Sequence, residues 1–526
     1  MEKNTHNLPE CWLETTIGNI CIKVQYGYTT KATESGDLKL LRTTDIKSGR
    51  ISWDNVPYCL KNPEEPEKYL LKDGDVVISR AGSIGFSCLI EKPMKAVFAS
   101  YLIRFNPLIA PRYFKFFLES PFYWNSISEE KLGIAVQNVN ASKLKSIYFP
   151  LPSIPEQNEI VSKIEELVSE LDSGIESLKK AREQLKTYRQ AVLKHAFEGR
   201  LTENWRERQQ EAGNPPEPAE KLIERIRKER EAHYKKQLEA WEKECEQAKA
   251  EGRKKPAKPK KPKDLPPLTE EELAELPELP EGWEWIKIAE ISESMKNGIY
   301  KPKKFYAETG SPCLRMYNIE NGKIVWIDVK RMVLSEDEIK EYELKPGDLL
   351  VNRVNSRELV GKTALIKQNL EKSVYESKNI RLRLIRVIES GYVNFWFLIF
   401  ANKYFNHNAQ QTVGMASINQ EQIGKMPFPI CSTTEQNIVL SEIESRLSVC
   451  DQLEQSIEDS LQKAETLRQS ILKKAFSGEL TRQWRKENPE LVSGENSAER
   501  LLERIREEKK KVQGAGGIRR GKKKSA

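Results

Sequence analysis

Histidine and cysteine are scarce in this chain of 526 residues. There are only four histidines, and they show no metal-ligand spacing: His6, His195, His233 and His407. The eight cysteines stand at scattered positions and include no Cys-x-x-Cys pair. A zinc site or a disulfide framework is therefore not expected, and the cysteine usage favours a reducing, cytoplasmic location.

Long apolar runs are missing as well. The opening MEKNTHNLPE lacks the apolar segment of a secretory signal, so none is expected. The most apolar run, YVNFWFLIFA from Tyr392, is shorter than the ~20 residues of a membrane span and predicts a buried helix. Hydrophobic residues make up 38% of the chain, which predicts several modest cores. The net charge of +8 permits a nucleic-acid partner without requiring one.

The sequence repeats itself. SIPEQNEIVSKIEELVSELD, from Ser153, returns as STTEQNIVLSEIESRLSVCD from Ser432, and KHAFEGRLTENW, ending at Trp205, returns as KKAFSGELTRQW, ending at Trp484. Both pairs are 279 residues apart. Upstream, LLRTTDIKSGRISW matches CLRMYNIENGKIVW 273 residues later. Because internal repeats define an architecture, the chain is predicted to be two copies of one plan, a globular unit followed by a helical unit.

The globular units are predicted to be α/β. Short β-rich runs stand beside turn-forming glycines: DVVISR, SCLI and YLIRF in the first copy, and DLLVNR, TALI and IRLRLI in the second. PRYFKFFLESPFYWNSI has apolar residues at helical spacing, although Pro121 interrupts it. The Gly-Asp pairs at 74–75 and 347–348 predict turns.

The helical units carry a long apolar stripe. Apolar residues recur in steps of three and four from Ile160 to Val192 and from Ile443 to Ile471. A stripe sustained over four or more heptads predicts a coiled coil, and Gly199 and Gly478 are helix-stopping residues. One such helix cannot bury its stripe alone, so the other copy is its expected partner.

The segment between the copies predicts a return path. NPPEP, 214–218, breaks the chain, and 219–250 predicts a charged helix. RKKPAKPKKPK, 253–263, predicts an extended linker, for which a spacer role is favoured over phosphate contact. The C-terminal GAGGIRRGKKKSA predicts a disordered basic tail.

These residues resemble the specificity subunit of type I restriction–modification systems. The resemblance rests on the paired Gly-Asp-x4-Arg strands, on the junctions NVNASKLKSIYFPLPSIPEQNEIV and SINQEQIGKMPFPICSTTEQNIVL, and on the two Ala-Phe-x-Gly-x-Leu-Thr helix ends. It covers nearly the whole chain. It implies target-recognition domains at 1–152 and 281–431, conserved helical regions at 153–205 and 432–485, a charged helix and Lys/Pro-rich linker at 206–280, and a charged helix and basic tail at 486–526.

The resemblance also implies a fold and a function. Two small α/β recognition domains would be separated by two long helices packed as an antiparallel coiled coil. The subunit would be non-catalytic and would read a bipartite double-stranded DNA target, one domain per half-site. Two methyltransferase subunits would bind the helices, and two motor/nuclease subunits could join them. S-adenosylmethionine, ATP and magnesium would then belong to the partners, and this chain would bind no cofactor, metal or membrane.

Three fragments imitate catalytic motifs. Asn214-Pro-Pro-Glu217 lacks the aromatic residue that an amino-methyltransferase stacks on a flipped base. Gly361-Lys362-Thr363 lacks the glycine of a phosphate loop, since Ser356 stands in its place. The Glu-x-Lys pairs at 338–340 and 343–345 have no suitable Asp before them. The fragments therefore predict a helix-breaking turn, a strand turn and surface charge.

Candidate DNA contacts are polar side chains at predicted strand ends and loops. In the first domain they are Tyr28, Lys31, Arg42, Thr43, Thr44, Ser79, Arg80, Ser83, Gln137 and Asn138, with Tyr26, Thr29 and Asn140 beside them. In the second domain they are Asn297, Tyr300, Lys301, Arg315, Tyr317, Asn318, Asn352, Arg353, Asn355 and Arg357, with Gln410, Gln411 and Lys378 as weaker candidates.

The repeat divides these candidates. Two domains that read different bases should agree at phosphate-contacting or structural positions and differ at base-reading positions. The shared pairs, predicted to contact phosphate or to be structural, are Arg42/Arg315 and Arg80/Arg353. The unlike pairs, predicted to contact bases, are Thr43/Met316, Thr44/Tyr317 and Ser79/Asn352.

Two other interpretations explain less of the sequence. A basic coiled-coil scaffold would explain the helices but not two duplicated globular units with diverged loops. A fused methyltransferase would need a cofactor loop that the sequence lacks, and too little chain remains outside the repeats to hold one.

The helix length generates a prediction. If the helices set the unread gap of a split target, deleting one heptad from both should shorten that gap or abolish binding. The methylated motif, mapped by single-molecule sequencing in a host that also expresses the methyltransferase, measures the gap directly. An unchanged gap would contradict the spacer role.

Overall fold

The computed structural model describes residues 8–46, 49, 51–129, 139–259, 261, 265–367, 371–408, 410–412 and 415–521. The described helices are α1 (Ile17–Ile20), α2 (Pro111–Phe117), α3 (Pro121–Glu129), α4 (Ala141–Ser146), α5 (Ile154–Phe197), α6 (Glu203–Glu211), α7 (Ala219–Ala250), α8 (Glu270–Ala274), α9 (Ile288–Ile291), α10 (Glu336–Tyr342), α11 (Ser390–Trp396), α12 (Asn402–Asn408), α13 (Gln420–Lys425), α14 (Thr433–Phe476), α15 (Arg482–Glu487) and α16 (Ala498–Gly521).

The strands fall into two series that follow the repeat. The first series is β1 (Leu13–Thr16), β2 (Cys21–Tyr26), β3 (Ala32–Thr33), β4 (Lys39–Leu41), β5 (Tyr58–Cys59), β6 (Val76–Ser79), β7 (Ser87–Leu89), β8 (Ala96–Phe98), β9 (Leu102–Pro107) and β10 (Tyr148–Leu151). The second is β11 (Glu284–Lys287), β12 (Ser292–Asn297), β13 (Tyr306–Ala307), β14 (Ser311–Leu314), β15 (Ile319–Glu320), β16 (Lys323–Ile324), β17 (Lys330–Met332), β18 (Leu349–Asn352), β19 (Val354–Asn355), β20 (Thr363–Leu365), β21 (Val374–Tyr375), β22 (Asn379–Leu384), β23 (Gln410–Thr412), β24 (Met415–Ser417) and β25 (Pro427–Ile430).

The chain divides into two compact units. The first unit contains residues 1–180 and 457–526, and the second contains residues 181–456. The boundary falls inside both long helices, because α5 belongs to the first unit up to residue 180 and α14 belongs to it from residue 457. Each unit therefore contains one recognition domain and part of each long helix. A unit thus includes several of the domains and helical regions that were predicted separately from the sequence.

Both recognition domains share the strand order of their two four-stranded sheets. In the first unit one sheet has the order β2-β9-β6-β7 and a second has the order β3-β5-β4-β8. In the second unit the corresponding orders are β12-β22-β18-β20 and β13-β17-β14-β21. Most neighbours are antiparallel, but β4 pairs with β8, and β14 with β21, in parallel. The mixed α/β class and the duplicated plan are confirmed, and every predicted strand run contains a strand.

The Gly-Asp turns directly precede β6 in the first domain and β18 in the second. Gly74 and Gly347 adopt positive φ angles of 82° and 90°, which favour glycine. Asp75 is buried and accepts a hydrogen bond from the Lys72 amide at 2.9 Å, while Asp348 accepts one from the Lys345 amide at 2.8 Å. The carboxylate thus closes the turn through which the chain enters β6 or β18, as the sequence predicted.

The long helices run antiparallel within each unit. Both α5 and α14 have 44 residues. In the first unit Arg468 Nη1 lies 2.8 Å from Asp172, and in the second Arg189 Nη1 lies 2.7 Å from Asp451. Ile160, Ile164 and Ile443 are fully buried. The stripe is less completely buried than predicted, because some of its residues are about half exposed: Leu167, Tyr188, Leu453 and Leu467.

A buried glutamate closes the first unit. Glu156, in the first turn of α5, is fully buried. Its Oε1 accepts a hydrogen bond from the Thr481 hydroxyl at 2.7 Å and lies 2.5 Å from Arg485 Nη1, and its Oε2 accepts one from Trp12 Nε1 at 2.8 Å. Because Thr481 and Arg485 follow the end of α14, this carboxylate joins the start of one long helix to the chain beyond the other.

The second unit has an equivalent junction, formed by the start of α14 and the chain that follows α5. Glu435, near the start of α14, accepts a hydrogen bond from Thr202 at 2.7 Å and lies 2.7 Å from Arg206 Nη1. Arg206 also donates to the Gly199 carbonyl at 2.8 Å, which fixes the end of α5. Trp283 takes the place of Trp12, but no described residue accepts a hydrogen bond from its buried Nε1.

The glutamine after each glutamate holds the recognition domain. Gln157 Oε1 accepts from the Ala110 amide at 3.0 Å, just before α2, and Gln436 Oε1 accepts from the Glu389 amide at 3.2 Å, just before α11. Both glutamines are buried. The repeated Glu-Gln pair therefore has two duties, since the glutamate joins the helices and the glutamine joins a helix to its domain.

The charged helices belong to the domain cores. Helix α7 occupies the predicted residues, and its Leu222, Ile223 and Ile226 are buried in the core of the second unit. Helix α16 buries Leu502 and Ile505 in the first. The disordered tail predicted from residue 514 is wrong as far as residue 521, where α16 ends, since no proline interrupts the helical hydrogen bonds there.

The junction generates a stability prediction. Glu156→Ala removes the acceptor of three buried donors, so it should lower the free energy of unfolding by roughly 3–5 kcal/mol. The midpoint of thermal or urea unfolding measures the loss. Glu442→Ala is the matched control because its partner Arg446 lies on the same exposed helix face, and that change should cost less than ~1 kcal/mol. Equal effects of the two substitutions would contradict the role of the junction.

Candidate nucleic-acid interface

One arginine marks the same corner of both domains. Arg80 follows β6, its amide donates to the Tyr101 carbonyl at 2.9 Å, and its carbonyl accepts from the Val139 amide at 3.1 Å. Arg353 follows β18 with the same pattern, donating to the Lys378 carbonyl at 2.8 Å and accepting from the Ile418 amide at 2.9 Å. The corner is therefore built from backbone bonds that both copies share.

The arginine side chains differ in their surroundings. The Arg80 guanidinium lies 5.0 Å from the centre of the Tyr26 ring, and among the described residues its buried Nε finds no hydrogen-bond partner. The Arg353 guanidinium instead makes long bonds to main-chain carbonyls, at 3.4 Å to Ile418 and 3.5 Å to Ser377. Arg80 thus keeps most of its donors available to an anion such as a DNA phosphate.

Tyr101 is a candidate that the sequence reasoning missed. It precedes β9 and is 60% exposed beside Arg80, where the second domain has Lys378. The sequence assigned Tyr101 to the strand run YLIRF, although the strand begins at Leu102. Tyr101 occupies the position of Lys378, which was among the weaker candidates, and this correspondence between the copies could have identified it.

A hairpin extends the corner in the second domain. Strand β24 pairs with β19 and with β23, so the backbone of Gln410 and Gln411 lies in a three-stranded sheet beside Arg353. In the first domain the equivalent segment includes Gln137 and Asn138, which lie outside the described residues.

The second shared arginine pair makes hydrogen bonds within its own domain. Arg42 makes two hydrogen bonds to the Asp45 carboxylate, at 2.8 and 3.0 Å, which raise the pKa of its guanidinium. Arg315 donates to the Asp328 carbonyl at 2.8 Å. The Arg42 amide is capped by Asp45 as the Arg315 amide is capped by Asn318, so both arginines stabilise the same turn.

Burial argues against four candidate DNA contacts, of which Ser79 and Asn352 were the predicted base contacts. Ser79 is fully buried and donates to the Ala81 carbonyl at 3.0 Å. Asn352 is fully buried and donates to Lys378 and Asn379. The other two are also buried and bonded within the domain: Asn318 to the carbonyls of Val325 and Ile327, and Asn355 to Asn352. Side chains without an exposed polar atom cannot reach a base edge.

The remaining candidates keep solvent access and stay predictions. Tyr300 and Tyr317 are 81% and 70% exposed. The exposed set also includes Thr29, Lys31, Thr44, Asn140, Asn297 and Arg357, and the half-buried set is Tyr28, Thr43, Ser83 and Lys301. Lys301 pairs with Glu338 and lies 4.6 Å from the Phe305 ring centre, so part of its charge is already compensated.

The fragment that imitates a phosphate loop forms a turn before a strand. Gly361 has a positive φ of 83° and Thr363 begins β20, which confirms the strand turn. Across the described part of the chain, no group of three or more His, Cys, Asp or Glu side chains is arranged to hold a metal ion. None of the helices there combines the length and the apolar character needed to cross a membrane.

Comparison with known proteins agrees with this architecture. The chain matches the family described as Type I restriction modification DNA specificity domain at residues 9–186 and again at residues 280–463. It is 26% identical over 536 residues to the Type I restriction enzyme EcoKI specificity subunit of Escherichia coli (strain K12), which covers 98% of this chain and 99% of that protein. It is 26% identical over 524 residues to the Type I restriction enzyme StySPI specificity subunit of Salmonella potsdam, covering 96% and 97%.

A solved structure supports the fold. A chain from a study of complex assembly and conformational transition of the type I R-M system has a TM-score of 0.61, with 14% identity and coverage of 90% of this chain and 99% of that chain. The two family matches contain the two recognition domains and much of both long helices, and together they span more than half of the sequence. The chain therefore belongs to the type I restriction–modification DNA specificity family.

Proposed function

We propose that this chain reads a bipartite double-stranded DNA target, with one recognition domain for each half-site. One observation carries the proposal: two domains of identical sheet order present different exposed side chains at equivalent positions. Thr44 corresponds to Tyr317, and Tyr101 to Lys378. A shared scaffold with different exposed chemistry is what the reading of two unlike half-sites requires.

The division between positioning and reading follows the repeat. Arg80 and Arg353 stand at the same corner in both domains, so they would contact phosphates and orient each domain on the duplex. The unlike, exposed residues Thr44 and Tyr317 would face base edges. Tyr101 in the first domain, and the hairpin of β23 and β24 in the second, would add to the DNA-facing surface of each domain.

The partners are proposed from the relatives, which are specificity subunits of type I restriction enzymes. The chain directs DNA recognition, and two methyltransferase subunits would dock on the long helices, whose half-exposed apolar residues include Tyr188 and Leu467. Two motor/nuclease subunits would join for cleavage. S-adenosylmethionine, ATP and magnesium would serve those partners. A scaffold without DNA specificity is not favoured, because it leaves the duplicated recognition domains unexplained.

The shared corner generates a binding prediction. Arg80→Ala should weaken binding to all duplexes alike and lower the slope of log affinity against log salt by ~0.9, the value for one lost phosphate contact. Fluorescence anisotropy of the complete complex on target and scrambled duplexes measures both quantities. Arg112→Ala is the control, since that guanidinium is already paired with Glu91 and Glu165. A changed recognised base with unaltered salt dependence would overturn the assignment.

The unlike pair generates a specificity prediction. Tyr317→Ala should relax one half of the recognised motif and leave the other intact, whereas Thr44→Ala should do the reverse. A single altered base contact costs ~1–3 kcal/mol, enough to change which sites are modified. The experiment is co-expression with the methyltransferase in an unmethylated host, followed by single-molecule mapping of modified adenines. A continuous motif in the parent protein, or changes in both halves from one substitution, would contradict the proposed division.

A further inference from the structure

The lysine- and proline-rich segment after α7 is held in place. Trp241, on α7, donates from its indole Nε1 to the Pro256 carbonyl at 3.0 Å. Lys255 Nζ and Lys258 Nζ lie 5.0 and 5.7 Å from the centre of the same ring. A hydrogen bond and two cation–π contacts converge on one side chain, so this segment is more than a loose spacer.

The segment returns along α7 in the opposite direction. Lys261 lines a cavity of about 390 Å³ together with Tyr234, Arg230 and Arg227, which lie progressively nearer the start of α7 than Trp241. Further on, Lys287 Nζ donates to the Pro266 carbonyl at 2.9 Å and so anchors the returning chain beside β11. We call residues 253–259 and 261 the basic strap.

The basic strap concentrates positive charge, although Glu231 and Glu290 line the same cavity as Lys261. It contains no acidic residue. Arg253 pairs with Glu251, but within the described parts of the chain no carboxylate lies within ion-pair distance of the strap lysines: Lys254, Lys255, Lys258 and Lys261. All four lysines are exposed. Concentrated charge of one sign fits a polyanionic ligand.

The backbone form suits an extended ligand. Prolines at 256 and 259 favour the polyproline II form, which rises ~3.1 Å per residue. One strand of duplex DNA presents a phosphate every ~3.4 Å along the helix axis. Because Trp241 already restricts Lys255 and Lys258, less side-chain entropy is lost when those ammonium groups meet phosphates.

We propose that the basic strap, held on α7 by Trp241, binds the sugar–phosphate backbone of duplex DNA without reading its sequence. This inference rests on the proposed function, which brings DNA to the second unit. It adds a contact outside the recognition domain, and one that would act equally on target and non-target DNA.

The test compares two charge-removing variants of the full chain, purified with its methyltransferase. Lys255→Gln/Lys258→Gln removes two strap charges, and Lys236→Gln/Lys243→Gln removes two exposed charges from the opposite face of α7. Anisotropy between 50 and 300 mM salt is measured on a target duplex and a scrambled duplex. The strap variant should reduce the salt slope by ~1.8 on both duplexes, as for two lost phosphate contacts, and the control should reduce it much less.

A third variant tests the role of the tryptophan. Trp241→Ala keeps every lysine, so it should weaken both duplexes while leaving the salt slope nearly as in the parent. Equal slopes for the strap and control variants would overturn the proposal, and so would loss of methyltransferase association in the strap variant with DNA binding intact. The target-to-scrambled ratio of the parent protein reports separately on the proposed function, so failure of one is distinguishable from failure of the other.

Discussion

Two buried carboxylates, Glu156 and Glu435, are the interactions on which the architecture depends. Each is removed from water, pairs with an arginine and accepts a hydrogen bond from a threonine, and both partners follow the end of the other long helix. A buried charge is tolerated only when donors surround it, so neither half of a junction is stable without the other. The repeat at an offset of 279 residues fits this constraint, because each copy supplies the acid of one junction and the base of the other.

Around those junctions the two recognition domains share a frame and differ at the surface. The buried aspartates at the Gly-Asp turns, the arginines after the central strands and the glutamines beside the helices occupy matching positions. One partner of the shared aspartate differs between the domains. Asp348 accepts two hydrogen bonds from Arg383, which raise the pKa of that guanidinium, whereas Asp75 accepts one from Asn106. Other differences between the domains lie at exposed side chains, such as Thr44 against Tyr317, which suits a protein whose two halves meet different base sequences.

The sequence predicted local structure well and tertiary surroundings poorly. The bounds of α7 followed from Pro218 and Gly252, and the strands followed from short β-rich runs between glycines. Ser79 and Asn352 look like ideal base readers in sequence, yet both side chains turn inward, since a strand end does not reveal which face its last residue presents. The docking of α7 and α16 was also missed, because a few apolar residues in a charged helix give little sign of the core that receives them. The anchoring of the basic strap depends on one tryptophan and one carbonyl that are 15 residues apart.

The discontinuous first unit has a consequence for biosynthesis. The second unit is one continuous stretch, residues 181–456, whereas the first joins residues 1–180 to residues 457–526. The unit that contains the first-synthesised recognition domain is therefore completed last. The ion pair between Glu156 and Arg485 cannot form until the whole second unit has been synthesised. During that interval the apolar start of α5 lacks the part of α14 that covers it in the first unit. Truncation near the C-terminus would accordingly remove part of the first unit, which contains the N-terminal recognition domain, and would leave residues 181–456 of the second unit intact.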